Sequence, residues 1–141
     1  MWNKVVFIGL GLIGSSLARV IKAKQLAQTI VAVDLNHQTL RDAEALGIAD
    51  ECYQEIAPAV VNADVIILAV PVKSTSAVFA QLKPHLHAHT IITDVGSTKA
   101  NILHAAQAVF GDAIPSGLVP AHPIAGAEKS GVWAGKVDLF A

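Results

Sequence analysis

Three glycines, an aspartate and a histidine carry the chemistry that can be read from this sequence. Gly9, Gly11 and Gly14 stand in the run Gly9-Leu10-Gly11-Leu12-Ile13-Gly14. The β-branched and aromatic stretch Val5 to Ile8 precedes it, and a helical pattern follows in which Ile13, Leu17, Val20 and Ile21 share a face. A G-x-G-x-x-G run alone is a weak signal. Between a strand and a helix it has the setting of a dinucleotide-binding loop. Gly9 permits the tight turn, Gly11 lets the backbone approach a pyrophosphate, and Gly14 lets the helix pack closely on the strand. The helix N-terminus then offers unpaired N–H groups and a partial positive charge to phosphates. Ser15 and Ser16 follow Gly14 where a phosphate-binding P-loop needs lysine, so that motif is excluded.

Asp34 is the second element of the pattern. It closes the apolar run Ile30 to Val33 and lies twenty residues beyond Gly14, the spacing of a ribose-binding acid. A carboxylate there accepts hydrogen bonds from ribose hydroxyls and repels a 2′-phosphate. No arginine follows, since the next residues are Leu35, Asn36 and His37. NAD is therefore expected over NADP. The plainer alternative makes the glycines an ordinary strand–helix turn and Asp34 the cap of the next helix.

Ligands of such sheets sit at the carboxyl ends of the strands, so the residues just past each strand are the ones to read. At the end of the Val65–Val70 strand come Ala69, Val70 and Pro71, an apolar lip suited to a nicotinamide ring. After Thr90 to Asp94 come Val95, Gly96, Ser97, Thr98 and Lys99, in which Ser97 or Thr98 suits a helix N-cap. After Leu118 to Ala121 comes His122-Pro123. The proline biases His122 toward an extended backbone and a projecting imidazole, which makes it a candidate acid or base. His85, His87 and His89 alternate, but between Pro84 and a strand they read as a solvated connection, and no metal is expected.

These residues need a frame to hold them. Strand candidates at Val5–Ile8, Ile30–Val33, Glu51–Tyr53, Val65–Val70, Thr90–Asp94 and Leu118–Ala121 alternate with helical stretches. The helices are expected at Leu12 onward, Gln38–Leu46 closed by Gly47, Ile56–Asn62, Ser74–Leu82 and Lys99–Phe110. That cadence predicts an α/β fold, a doubly wound parallel sheet of Rossmann type, with residues 1–141 as one dinucleotide-binding domain. Apolar residues reach 53 % and charged residues only 15 %, which excludes a disordered chain. A net charge of −1 argues against nucleic acid as a partner. Mean hydropathy is +0.53, yet the longest apolar run, Val65 to Val72, is far short of the ~20 residues of a membrane span. The excess has two outlets: a sheet buried on both faces, or a surface for another domain, to which Trp133 and Phe140 would belong. The single cysteine, Cys52, fits a reducing cytoplasm. The chain stops at Ala141 without a turn or polar tail, as the first domain of something longer would.

Four segments together resemble the NAD-binding domain of the prephenate/arogenate (cyclohexadienyl) dehydrogenases. They are Gly9 to Leu17, Ala63 to Pro71, Thr93-Asp94-Val95-Gly96-Ser97-Thr98-Lys99, and His122-Pro123-Ile124-Ala125-Gly126-Ala127-Glu128-Lys129-Ser130-Gly131. The first two are widespread among dehydrogenases, and the last is highly specific. The resemblance covers the whole chain and the first half of the family's usual length. It implies oxidative decarboxylation of prephenate or arogenate to 4-hydroxyphenylpyruvate or tyrosine, with NAD as hydride acceptor. It implies that His122 hydrogen-bonds the substrate's ring hydroxyl and takes its proton. Ser97 would align hydroxyl, histidine and nicotinamide, and Glu128 would lie near the site entrance. Ala127 departs from relatives with a hydroxyl residue there. The family's helical second domain, which supplies a carboxylate-binding arginine and most of a homodimer interface, is absent from this chain, which is expected to be inactive alone. Other classes remain beside this one: a β-hydroxyacid dehydrogenase or pyrroline-carboxylate reductase relative, against which the histidine loop argues, and a non-catalytic NAD-binding module.

Overall fold

The computed structural model describes residues 2–86, 90–95, 99–111, 114 and 117–118. Among the described residues, five parallel strands form one sheet: β1 (Trp2–Ile8), β2 (Ala27–Val33), β3 (Glu51–Tyr53), β4 (Val65–Leu68) and β5 (Ile91–Asp94). Their spatial order is β3-β2-β1-β4-β5, so the winding reverses between β1 and β4. This is the expected doubly wound α/β sheet. Leu118 makes an isolated parallel bridge to Ile92 of β5. Residues 119–121 of the expected last strand lie outside the described residues.

Side chains on a strand alternate between faces, and here both faces are covered. Val5 and Phe7 of β1 pack with Leu17, Ala18 and Ile21 of α1 (Gly11–Ala23) and with Leu40 and Ala43 of α2 (His37–Ala45). Val6 and Ile8 point the other way. They share a core with Ile56 of α3 (Ile56–Ala59), Phe79 of α4 (Thr75–Leu82) and Ile102 and Phe110 of α5 (Lys99–Phe110). Phe79 and Phe110 meet at a tilted 57°, their ring centres 5.6 Å apart, which ties α4 to α5. The excess hydropathy thus goes into a sheet buried on both sides.

Several boundaries differ from the sequence reading. β1 and β2 each begin three residues earlier than their apolar runs, with Trp2 opposite Ala27 and Lys4 opposite Thr29. Apolar runs mark only the part of a strand beneath a helix, and these N-terminal ends are only partly buried. β4 stops at Leu68, and Ala69–Pro71 belong to the following loop. α3 is one turn instead of seven residues, and Asn62 beyond it takes φ 61°, outside helical space. Val20, expected on the buried face of α1, is 43 % exposed; the face is built on Leu17, Ala18 and Ile21. Among the described residues no helix is long and apolar enough to cross a membrane.

Candidate functional site

The register brings the strand ends to one edge. Ile8 stands level with Val33 and Leu68, Val33 with Tyr53, and Leu68 with Asp94. The next residue of each chain therefore emerges at the same rim. Gly9 N donates to Val33 O at 2.7 Å, and Ala69 N donates to Ile8 O at 2.8 Å. Asp34 N donates to Tyr53 O at 3.1 Å, and Val95 N to Leu68 O at 2.9 Å. These bonds extend the ladder one step and fix Gly9, Asp34 and Ala69 side by side where the winding reverses. That crevice is where open α/β sheets bind ligands.

Gly9 takes φ +80°, and a Cβ there would lie 2.8 Å from Ala69 O and 2.9 Å from Val70 Cγ1. Only glycine fits both the backbone and the space. At Gly14 a Cβ would come within 3.0 Å of Ala69 Cβ, so this glycine sets how closely α1 lies on the β4 loop. Both roles match the expected ones. Gly11, Leu12 and Ile13 form the first turn of α1, whose N-terminus opens toward this rim.

Asp34 does not cap α2. Asn36 does, its side chain accepting from Gln38 N at 2.9 Å and Thr39 N at 3.2 Å. Asp34 reaches the other way: Oδ2 accepts from Leu10 N at 3.3 Å, and Oδ1 accepts from Asn36 N at 2.9 Å. The acid at the end of β2 therefore faces the glycine loop.

A cavity of about 390 Å³ opens beside these groups, bordered by Gly9, Asp34, Ala69, Val70 and Pro71. Its outer wall had not been anticipated. Ser74, Ala77, Val78 and Gln81 line it from the start and body of α4, and Leu35 and Gln54 from the β2 and β3 loops. The spacing 74, 77, 78, 81 is a single helical face and was legible as such. Leu35 is 84 % exposed. Gln54 Nε2 donates to Leu35 O at 3.1 Å and steadies that segment. Among the described lining residues there is no lysine, arginine or histidine. A backbone cradle, an acid and an apolar wall suit a ribose and a planar ring, and the described lining offers no cation to an added phosphate.

Ser97, His122 and Glu128 lie outside the described residues, as do Thr98, Trp133 and Phe140. Asp94, which the sequence reading treated only as a strand end, is a buried carboxyl at the same rim, 1 % exposed. His85 sits in a 3₁₀ turn, Lys83–His85, while His87 and His89 lie outside the described residues. Among the described residues no three His, Cys, Asp or Glu side chains gather to hold a metal. Cys52 is half-buried, and its thiol is pushed up to about 11, first by burial and then by the charge and hydrogen bond of Glu44.

Comparison with known proteins agrees with this geometry. A cyclohexadienyl dehydrogenase of Zymomonas mobilis is 38 % identical over 141 residues, covering 99 % of this chain and 47 % of the relative. A prephenate dehydrogenase of Bacillus subtilis is 36 % identical over 143 residues, covering 99 % of this chain and 38 % of the relative. The chain thus spans under half the length of these curated relatives. Among solved structures, prephenate dehydrogenase of Aquifex aeolicus, in complex with hydroxyphenyl propionate and NAD+, superposes with a TM-score of 0.77 at 28 % identity. That match covers 89 % of this chain and 43 % of the other. Synechocystis arogenate dehydrogenase gives 0.68 at 30 % identity, covering 77 % of this chain and 38 % of the other. A family model described as prephenate dehydrogenase, nucleotide-binding domain, matches residues 17–141, beginning just after the glycine loop. With a match over most of its length, the chain belongs to the nucleotide-binding domain family of the prephenate dehydrogenases.

Proposed function

We propose that this chain is the NAD-binding part of a prephenate or arogenate dehydrogenase. The observation that carries this reading is the rim of the sheet, where the Asp34 carboxylate faces the glycine loop beside a cavity whose described lining holds no cation. A ribose can share its hydroxyls with such an acid; a 2′-phosphate would meet only repulsion. Gly9 and the N-terminus of α1 would hold the diphosphate, and Ala69, Val70 and Pro71 would bound the far side. Family membership, and NAD+ in the Aquifex aeolicus structure, support the same assignment.

In the proposed reaction, a bound NAD would supply the acceptor for the hydride leaving the hydroxyl-bearing ring carbon. His122 takes the hydroxyl proton, and Ser97 aligns that hydroxyl. The ring carboxylate leaves as carbon dioxide, and its electron pair moves into the ring. The oxygen then recovers its proton, and the product is a phenol. Glu128 stands at the entrance. A histidine titrates near 6.5 when unperturbed, which suits a proton acceptor at neutral pH. The reading also places the protein in the cytoplasm, in tyrosine biosynthesis, as a homodimer paired through residues outside this chain. The 141 residues alone would then bind cofactor without turning over substrate.

Two measurements test it. Calorimetric titration should show NAD binding well ahead of NADP, and equal or tighter NADP binding would overturn the assignment. In the protein that carries this chain, assayed with prephenate and with arogenate, His122→Asn should lower kcat by roughly 10²–10⁴-fold while substrate binding survives. The wild-type rate should fall on acidification as the imidazole becomes protonated. A mutant that kept its kcat and the same acidic limb would remove His122 from the reaction.

A further inference from the structure

We infer that Asp34 is a positioning residue for the glycine loop, holding Leu10 in place before any ribose arrives. Leu10 is the N-cap of α1, with φ −96° and ψ −51°, and its side chain makes no capping hydrogen bond. An amide at that position has no partner within the helix. Leu10 is also buried at 2 % exposure, where an unmatched N–H would be costly. The acceptor is Asp34 Oδ2, 3.3 Å away and twenty-four residues further along the chain. The other oxygen, Oδ1, accepts from Asn36 N at 2.9 Å, which holds the carboxylate in one orientation. Asn36 in turn caps α2. One carboxylate thus ties the approach to α1 to the approach to α2.

The inference rests on the reading of this cavity as a nucleotide site and has a consequence for cofactor choice. Replacing Asp34 to admit a 2′-phosphate also releases Leu10 N. The substitution therefore weakens NAD and offsets part of what NADP gains from the lost repulsion, so a full exchange of preference requires a new acceptor for Leu10 N.

ADP lacking both ribose hydroxyls separates the two roles, because Asp34 has nothing on it to bind. If Asp34 holds the loop, Asp34→Ala weakens this probe by roughly tenfold, the worth of about one hydrogen bond, and weakens ordinary ADP further. Unchanged affinity for the hydroxyl-free probe overturns the inference. Hydrogen exchange of the Leu10 amide, followed without ligand, gives a second reading: slow in wild type, faster in Asp34→Ala. Where the alanine variant does not fold, Asp34→Asn replaces it. Its neutral oxygen holds the amide less firmly, so faster exchange is again expected, and wild-type protection overturns the inference. Wild-type protein that binds neither ADP nor NAD would instead defeat the nucleotide reading, and the exchange measurement would still decide the role of Asp34.

Discussion

A single methyl group at Gly9 tests the rim where it is tightest. Gly9→Ala places a Cβ 2.8 Å from the Ala69 carbonyl oxygen at φ +80°, so backbone must move. The expected cost is about 1–3 kcal/mol, read by denaturant titration, together with loss of NAD binding in calorimetry. Gly14→Ala meets the Ala69 methyl at 3.0 Å and the Gly9 carbonyl oxygen at 3.3 Å without a positive φ, and should cost less while keeping more affinity. Cys52 offers a pH test. Its thiol is raised from an ordinary 9.0 to about 11, so thiol reagents should label it slowly at neutral pH and faster toward pH 11. Glu44→Gln removes one cause of the shift and should speed labelling. Because the folded value lies above the unfolded one, the linked stability is whole below pH 9 and is lost as pH climbs through 11. At this scale the sequence was most informative about glycines, whose constraint is steric and local. It did not disclose that Asp34 grips Leu10, because that bond depends on how far β1 and β2 are offset, which spacing alone does not define.

Most elements were legible where they are buried, and the partly exposed β3 (Glu51–Tyr53) was read as well. Lys99–Phe110 was read to the residue, since Ile102, Ala105, Ala106 and Phe110 carry a helical apolar pattern into the core. The starts of β1 and β2 were missed because Asn3 and Gln28 carry no apolar signal. What holds β1 there is polar: Asp64 Oδ2 accepts from Asn3 N at 2.6 Å and from Lys4 N at 3.3 Å. Val20 shows the opposite failure, an apolar residue at helical spacing that is 43 % exposed. Asn36, a polar residue outside the apolar pattern, is the cap of α2. Asn36→Ala removes acceptors for Gln38 N and Thr39 N and should destabilise by about 1 kcal/mol, with m unchanged in urea titration.

For the whole molecule, the hydropathy of +0.53 was the sound guide, and the strands account for it: Val5–Ile8, Ile30–Val33 and Val65–Leu68 are buried on both faces. The roles proposed for Ser97 and His122 rest on their motifs alone. The described geometry speaks to cofactor and not to substrate. If NAD binds only the folded chain, a concentration near one hundred times Kd should add about 2.7 kcal/mol of stability. That raises Tm by several degrees in calorimetry, and NADP at the same concentration should raise it less. The narrowness of β3 has a consequence beyond cofactor binding. This outermost strand is three residues long, and its Tyr53 Oη donates to Glu51 Oε1 at 2.7 Å along the rim. A second copy meeting that margin finds a rung or two of free backbone and a carboxylate in its path. Such a margin is a poor template for intermolecular strand pairing, so concentrated protein is protected there against growth into fibrils.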